Sequence, residues 1–581
     1  MALPVDPARD SGFLYYDVPN RGNGAVAPDA DGHIRVISGW QGDIAPQDGL
    51  QTLTVPIARG ADGRSLTGPV LQRFTDIAAG TASVAITGSI GRPTPRPLPL
   101  TLDTRRARLF TQTNDNAPRH TIAAKDWAFA DCRAKPFPGT PDPTQICVKG
   151  GFDSTKAYIL TYQGKDPKVL GIGFAAVRDL NDFLRYGTVD DAGTPNPVAG
   201  QVRWAIGLGT SQSGNFMRSL IALGFNQTEG NRRLFDGANP NIAARGVPLN
   251  IRFGVPGGAA NLYEAGSEGP LWWNRYDDRA RGRGTSSLLD RCRETDTCPK
   301  IVETFGSAEF WGLRMSPNLI GTDAGSDIPL PPEVRRYYFP GVTHGGSYVG
   351  GFPAGGEKAY PGLAACTLAW NPNPSSQTRR AVLKSLEAWI SEGKEPLPSR
   401  YPTLAAGDLV APDAAALGWP AIPGAPTPTG KINEMPDYDF GPAFDYRDLS
   451  GIQSKQPPSI RRIIPSRVPR VNVDGNEMAG VPSVQLLVPT GTFTGWNEAA
   501  AGYYKGRGCG FIGGFIPFAR TEAERKGRGD PRPSLAARYG DHAGFVARVR
   551  AVASEQVKLG WLLPDDAEKI VMQAQASDIL R

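Results

Sequence analysis

Residues 203–214, Arg-Trp-Ala-Ile-Gly-Leu-Gly-Thr-Ser-Gln-Ser-Gly, constrain the fold of this chain more than any other stretch. A short apolar run leads into Gly209-Thr210-Ser211-Gln212-Ser213-Gly214, and a helical pattern follows at once. This order predicts a sharp strand-to-helix turn with Ser211 at its apex, the local structure called a nucleophile elbow. The strained serine requires small residues two positions away on either side, and Gly209 and Ser213 meet that demand. Glycine is commoner than serine at the second position, so an ordinary Gly/Ser turn is the alternative.

A serine hydroxyl becomes an effective nucleophile only when a base takes its proton, and histidine is the usual base near neutral pH. In α/β-hydrolases the order along the chain is nucleophile, acid, histidine, which leaves His344 and His542 of the four histidines. His344 lies in a glycine-flanked loop directly after the predicted strand at 334–339, where ligands and catalytic groups gather in open α/β sheets. His542 begins a predicted peripheral helix. The sequence therefore favours His344 as the base.

The acid of such a triad holds the imidazole in the correct tautomer and stabilises the imidazolium as it forms. It should follow a strand that precedes the histidine strand. Glu309 lies in the loop after the predicted strand at 301–305 and is the favoured candidate. Asp323 and Asp327, in a polar loop, and Asp236, beyond the elbow helix, are the alternatives.

A tetrahedral intermediate needs two backbone N–H donors for its oxyanion. One is expected from Gln212, the residue after the nucleophile, reinforced by the positive end of its helix. The other is expected from Arg21 or Gly22 in the Asn20-Arg21-Gly22 segment, which follows an early strand. The alternative for this segment is merely a tight turn.

Alternating strand and helix patterns in the middle of the chain predict an α/β fold with a mainly parallel central sheet. We expect an α/β-hydrolase core from residues 1–50 and 150–400, with a β-rich insertion at 51–149. A loop-rich segment at 245–298 is the candidate cap over a pocket, and residues 401–581 form a C-terminal extension packed on the core. Strands are predicted at 13–18, 34–39, 155–163, 203–208, 301–305 and 334–339, and helices at 173–186 and 378–390.

Three tryptophans lie in or near these functional segments. Trp272 and Trp273 belong to the candidate cap, and Trp311 follows the predicted acid closely. We expect them to contact a sizeable apolar or aromatic part of the substrate. Packing in the protein core is the alternative for each.

The composition excludes several other classes of protein. With 40% hydrophobic and 21% charged residues the chain is typical of globular proteins. The formal charge of +6 is small for 581 residues and the basic side chains are scattered, so no nucleic-acid partner is expected. No run of 18 apolar residues predicts a membrane span. No metal and no organic cofactor is expected, and the oligomeric state is not predicted.

The cysteines bear on the cellular compartment. Two close pairs, Cys132 with Cys147 and Cys292 with Cys298, bracket short polar or Pro-rich loops, without a Cys-x-x-Cys motif. They favour disulfides over a zinc site, and hence a periplasmic or secreted protein. Because the first residues lack the features of a signal peptide, this placement implies a leader that is absent from this chain. The alternative is a cytoplasmic enzyme with reduced, buried thiols.

Nine short segments, in order over nearly the whole chain, resemble a bacterial family of "alpha/beta hydrolase domain-containing" proteins. They are Val18-Pro19-Asn20-Arg21-Gly22, Gly39-Trp40-Gln41-Gly42-Asp43, Ala175-Ala176-Val177-Arg178-Asp179, Ser211-Gln212-Ser213-Gly214-Asn215, Gly224-Phe225-Asn226, Leu234-Phe235-Asp236-Gly237, Asp474-Gly475-Asn476-Glu477, Thr494-Gly495-Trp496-Asn497 and Asp530-Pro531-Arg532. The resemblance implies an α/β-hydrolase fold, a serine nucleophile matching Ser211 and a histidine matching His344. Asn215 departs from the family, which commonly has arginine there.

These observations lead to one functional hypothesis. We expect a serine hydrolase that cleaves a small-molecule or oligomeric carboxylic ester through an acyl-enzyme, using Ser211, His344 and Glu309. The same triad would serve an amidase, a lactonase or a thioesterase, because fold and triad do not determine the substrate. A non-catalytic binding protein on a hydrolase scaffold is the alternative from another class.

Overall fold

A six-stranded, wholly parallel sheet forms the centre of the molecule. The computed structural model describes residues 1–88, 94–254, 261–347, 350–356, 365–430 and 432–581. The strands of the sheet are β1 (Phe13–Asp17), β2 (Ile34–Val36), β3 (Trp204–Thr210), β4 (Gly237–Asn241), β5 (Lys300–Gly306) and β6 (Val334–Phe339). Their order across the sheet is β2-β1-β3-β4-β5-β6. The carboxyl ends of β3, β5 and β6 therefore lie on the same edge.

Helices cover both faces of this sheet. They are α1 (Ile172–Tyr186), α2 (Gln212–Ala222), α3 (Ser307–Gly312) and α4 (Ser376–Ser391). Alternation along β1 places Leu14 in one apolar cluster with Phe174 of α1 and Phe216 of α2. Its neighbour Phe13 belongs to a second cluster, with Leu386 of α4. Because successive strand residues point to opposite faces, the sheet is buried on both sides, as parallel sheets usually are.

A separate four-stranded antiparallel sheet precedes the elbow strand. It consists of Thr67–Phe74, Ala157–Lys165, Arg108–Gln112 and His120–Ile122, in that spatial order. The strand Ala157–Lys165 falls within the stretch that the sequence assigned to the catalytic core. It pairs instead with the preceding segment, since its alternate side chains pack in that segment's own apolar cluster. A division at residue 150 therefore does not follow the sheets.

The remaining elements are short, apart from a C-terminal helix pair. That pair, α5 (His542–Lys558) and α6 (Pro564–Ala576), has its own apolar cluster. The other helices are Asp290–Glu294, Ser316–Ile320, Ala414–Leu417, Val484–Leu487, Glu522–Arg528 and Leu535–Tyr539, with 3-10 turns at Pro7–Arg9, Thr104–Arg106, Ala124–Asp126 and Arg279–Arg281. The other strands are Val84–Ala85, Thr87–Gly88, Thr94–Pro95, Trp127–Ala128, Ala130–Asp131, Thr140–Pro141, Gln145–Val148, Ile251–Arg252, Tyr276–Asp277, Thr285–Ser286, Leu409–Val410, Met435–Asp439, Phe444–Asp445, Ser450–Ile452, Ser459–Ile464, Val468–Pro469, Gly491–Thr494 and Gly514–Pro517.

The candidate cap, residues 245–298, is only partly a surface feature. Residues 255–260 lie outside the described residues. Trp273, Leu289 and Cys292 are buried in the same apolar cluster as the residues of α2. This portion of the segment packs on the core and is not a detached lid. Among the described helices, none is both long and apolar enough to cross a membrane.

Three disulfides cross-link the chain. Both pairs expected from the sequence are formed, Cys132–Cys147 and Cys292–Cys298. Cys366 and Cys509, whose pairing the sequence left open, form the third. Three disulfides are consistent with an oxidising, extracytoplasmic compartment.

We expect mass spectrometry of non-reduced peptides to recover these three linkages from protein made in its native compartment. The reason is that each cysteine already has its partner within bonding distance in the folded chain. The same digest after reduction is the control. Free thiols at Cys132, Cys147, Cys292 and Cys298 would contradict both the pairing and the extracytoplasmic placement.

Candidate active site

Ser211 lies at the apex of a strained turn between β3 and α2. Its backbone has φ 61° and ψ −118°, a conformation that side-chain-bearing residues rarely adopt and that clusters at functional sites. The Ser211 N–H donates to the carbonyl of Asn241 at the end of β4, at 3.0 Å. The neighbouring strand therefore helps to hold the turn in place. This is the geometry of a nucleophile elbow.

The small residues around Ser211 have a direct steric reason. A Cβ atom on Gly209 would lie 2.2 Å from the carbonyl oxygen of Ser213, and one on Gly214 would lie 2.8 Å from that of Asn241. Ser213 is tolerated because its hydroxyl is used. It accepts from the N–H of Thr210 and donates to the carbonyl of the same residue, both at 2.8 Å. The Ser213 side chain thus stabilises the turn by bonding both backbone groups of Thr210.

We expect Gly209→Ala to lower the free energy of unfolding by about 2 kcal/mol or more, because the new methyl group collides with backbone atoms that cannot rotate away. Chemical denaturation measures this change. Gly527→Ala is the matched control, since nothing lies within 4 Å of the added Cβ atom there. Equal stability of the Gly209 variant and the wild type would contradict this account of the turn.

The structure brings Ser211, His344 and Glu309 into one hydrogen-bonded chain. Nε2 of His344 lies 2.7 Å from Oγ of Ser211, and Nδ1 lies 2.6 Å from Oε1 of Glu309. A neutral imidazole protonated on Nδ1 satisfies both contacts, because Nε2 then accepts from the serine hydroxyl. The other carboxylate oxygen of Glu309 accepts from the N–H of Gly306 at 2.6 Å. Glu309 is fully buried, whereas the His344 side chain is 15% exposed.

Glu309 lies on the short helix α3. The sequence had indicated a loop at this position. The helix begins directly after β5, so the first turn carries the carboxylate back over the end of its own strand. The rival acids are engaged elsewhere: Asp236 pairs with Arg185 at 2.6 Å, Asp323 accepts from a tyrosine hydroxyl, and Asp327 accepts from two backbone N–H groups.

Residues that the sequence did not single out hold the histidine loop. The N–H of His344 donates to the carbonyl of Phe511 at 3.0 Å, and the two rings meet edge to face. The amide of Asn371 donates to the carbonyl of Gly341 at 2.7 Å, and that of Asn373 to the carbonyl of Pro340 at 3.0 Å. Asparagines far along the chain give no local signal of such contacts.

Comparison with known proteins identifies the family of the chain. Residues 120–572 match the family model described as an alpha/beta hydrolase domain. The chain belongs to this alpha/beta hydrolase family. No curated protein and no solved structure matches it.

In this α/β hydrolase the expected oxyanion donors lie beside the elbow. Gln212 is the first residue of α2, so its N–H has no acceptor within the helix. The amide of Asn20 donates to the carbonyl of Thr210 at 2.8 Å, which ties the Asn20-Arg21-Gly22 turn to the residue before the nucleophile. Asn20 and Asn23 also exchange backbone hydrogen bonds, so this segment is a tight turn as well. The donor role of Arg21 or Gly22 stays a prediction.

Asn215 is buried one turn after the nucleophile. Its side-chain oxygen accepts from the N–H of Arg245 at 3.1 Å. The short amide therefore serves to fix the segment that follows β4. Burial lowers the pKa of Arg245 to about 10, with Arg314 as a nearby like charge.

The tryptophan prediction needs correction. Trp272 and Trp273 are each 1% exposed. The indole N–H of Trp272 donates to the carbonyl of Pro317 at 3.0 Å, and Trp273 packs under the guanidinium of Arg218. Both are core residues with no surface for a substrate, because Trp273 packs in the apolar cluster of α2 and Trp272 packs in a second cluster, with Ile328, Met435 and Ile464. Trp311 lies on α3 and packs against Trp496, and its contact with substrate stays a prediction.

One group of side chains in the described part of the hydrolase has the composition of a metal site. Asp29, Asp31 and His33 place ligand atoms within 4.8 Å of one another. Protein partners already occupy them. Nδ1 of His33 contacts the hydroxyl of Ser11 at 2.9 Å, and Lys384 pairs with Asp31 at 3.0 Å. The group is a polar cluster that joins β2 to α4.

Proposed function

We propose that this α/β hydrolase is a serine esterase that cleaves carboxylic esters through an acyl-enzyme. The observation that carries the proposal is the continuous hydrogen-bonded chain from Ser211 through His344 to the buried Glu309. A nucleophile, a base and an orienting acid at these distances match the geometry by which such triads are recognised on any fold.

In the first half of the proposed reaction, Oγ of Ser211 attacks the ester carbonyl carbon while Nε2 of His344 takes the hydroxyl proton. The negative charge on the carbonyl oxygen is stabilised by the N–H of Gln212 and by the turn at Arg21 and Gly22. The C–O bond to the alcohol then breaks, and Nε2 returns its proton to the departing oxygen. The products of this half are an alcohol and an acyl group on Ser211.

In the second half, a water molecule replaces the alcohol. His344 takes a proton from the water as its oxygen attacks the acyl carbon, and then returns that proton to Oγ of Ser211. Glu309 stabilises the imidazolium in both halves without taking the proton itself. The N–H of Gly306 on the second carboxylate oxygen keeps the first oxygen aimed at Nδ1. A carboxylic acid leaves and the enzyme is restored.

Esters are proposed ahead of amides because an alcohol leaves more readily than an amine. Lactones and thioesters would use the same steps. We also propose a periplasmic or secreted location, which the three disulfides support.

A panel of p-nitrophenyl esters, graded in acyl length and including an aromatic acyl group, tests the proposal against the matching anilides. We expect wild-type protein to hydrolyse esters with a burst of nitrophenol equal to the enzyme concentration, and anilides far more slowly. Ser211→Ala is the control and should show no burst. Faster cleavage of the anilides would contradict the ester assignment, and equal activity of the Ser211 variant would contradict the mechanism.

A further inference from the structure

A buried carboxylate from the C-terminal part of the chain joins the segments that carry the acid and the base. We propose that Glu477 is a positioning residue that sets the Glu309-bearing helix against the His344-bearing loop. This inference rests on the proposed function, since it concerns the same three catalytic groups. Glu477 contacts none of them directly in the described structure, so its effect passes through the backbone of the two segments.

The two carboxylate oxygens of Glu477 accept hydrogen bonds from α3, from β6 and from the loop that leads to His344. Oε1 accepts from the hydroxyl of Ser307, the first residue of α3, at 2.5 Å. Oε2 accepts from the N–H of Gly341, three residues before His344, at 2.6 Å. Oε2 also accepts a short hydrogen bond from the hydroxyl of Tyr338 in β6. One side chain therefore spans the ends of two adjacent strands.

The two segments also contact each other beneath this carboxylate. The N–H of Ala308 donates to the carbonyl of Val342 at 3.2 Å. The approach is close, because a Cβ atom on Gly306 would lie 2.9 Å from the same carbonyl oxygen. Ser307 and Gly341 lie two and three residues from Glu309 and His344, respectively. A small shift of either segment would lengthen the contact between imidazole and carboxylate.

The hydrogen bonds around Glu477 favour a carboxylate. All three partners are donors, and a carboxylate only accepts. A glutamine of the same shape would turn its own N–H₂ toward one of these partners, so that the Ser307 hydroxyl would have to accept instead of donate and the hydrogen bonds would lose their charge assistance. Glu477 is 7% exposed, and burial raises its pKa although the hydrogen bonds oppose that shift. Burying a carboxylate is unfavourable for folding unless hydrogen bonds compensate, and the three that compensate here all come from α3, from β6 and from the loop that leads to His344.

The test compares Glu477→Gln with wild type by kcat per active site, using a p-nitrophenyl ester and active-site titration with a fluorophosphonate. We expect kcat per titrated site to fall about 10- to 100-fold with KM within threefold of wild type, because misplacement of catalytic groups by about 1 Å costs up to about 100-fold. Asp566→Asn is the matched control. That carboxylate is also buried, but it pairs with Arg380 near the C-terminal helices.

A fall of less than tenfold in kcat per site, or a change confined to KM or to the fraction of titratable protein, would overturn the proposal. If Glu477→Gln does not fold, Ser307→Ala takes its place in the test. A fall of threefold or more in its kcat per site would support the proposal, and a smaller fall would contradict it. Wild-type protein that fails to react with the fluorophosphonate would count against the proposed function itself. If wild-type protein reacts with the fluorophosphonate but Glu477→Gln leaves kcat per site unchanged, only the positioning role would be contradicted.

Discussion

Ser211→Ala is expected to lower kcat by about 10⁴-fold or more while the fold survives. His344→Ala should have a similar effect, because nucleophile and base act as a unit and losing either removes most of the benefit of both. Steady-state kinetics with a p-nitrophenyl ester measures the loss, and circular dichroism checks the fold. Since Ser211 Oγ makes its short contact with His344 Nε2 at the strand end, truncation to alanine leaves the turn itself intact.

Retention of esterase activity by the Ser211 or the His344 variant would contradict this expectation. If either variant kept more than about a tenth of the wild-type kcat, the barrier would have risen by only about 1.4 kcal/mol. The residue replaced in that variant would then not have the role assigned to it, and the proposed triad would be wrong.

Glu309→Gln is expected to lower kcat by about 10²- to 10⁴-fold. The glutamine can still accept from Gly306, but its N–H₂ would face Nδ1 of His344 and favour the tautomer with the proton on Nε2. That tautomer cannot accept the proton of Ser211. The charge that stabilises the imidazolium would also be lost. Kinetics and thermal denaturation of the same preparation separate this effect from unfolding.

Asp323→Asn and Asp327→Asn are the controls for Glu309→Gln. Their carboxylates bond a tyrosine hydroxyl and loop backbone groups, so both variants should remain within about threefold of wild type by the general rule that surface changes are mild. Full activity of the Glu309 variant would remove this residue from the triad.

Local sequence patterns were most informative where strand, turn and helix are consecutive. The prediction for β6 at 334–339 agrees with the structure residue for residue, and β3, β5, α1 and α4 differ only at their ends. The reason is physical. These elements are apolar along a strand or along one helix face, and packing against the sheet reinforces that preference.

Strand β4 was not predicted. Its sequence, Gly-Ala-Asn-Pro-Asn, is typical of a turn, yet all five residues are buried between β3 and β5. Contacts with the neighbouring strand stabilise the extended conformation that this composition disfavours. The amide of Asn239 donates to the carbonyl of Val302 at 2.6 Å, and Asn241 accepts from the hydroxyl of Thr304 at 2.8 Å. Such cross-strand contacts depend on partners about 60 residues away, which local periodicity cannot reveal.

In the candidate site, too, some residues could be predicted from local sequence patterns and others could not. Chain order and strand ends were sufficient to select Ser211, His344 and Glu309, which the structure brings together. The supporting roles of Asn371, Glu477 and Phe511 were recognised only from their contacts, because these residues come from distant segments. Glu477 lies in one of the segments that carry the family resemblance, but that resemblance did not indicate its role. Trp272 and Trp273 were misjudged because an aromatic side chain in a loop-rich segment gives no indication of whether it faces a substrate or the core.

The most direct test of the central claim is the site of covalent labelling by a fluorophosphonate, which transfers its phosphonyl group to an activated serine as fluoride leaves. Peptide mapping by mass spectrometry locates the adduct. We expect one adduct per chain, on Ser211, formed at least about 100-fold more slowly in His344→Ala because the hydroxyl then lacks its base. No adduct on the folded wild-type protein, or an adduct on a different serine, would contradict this expectation.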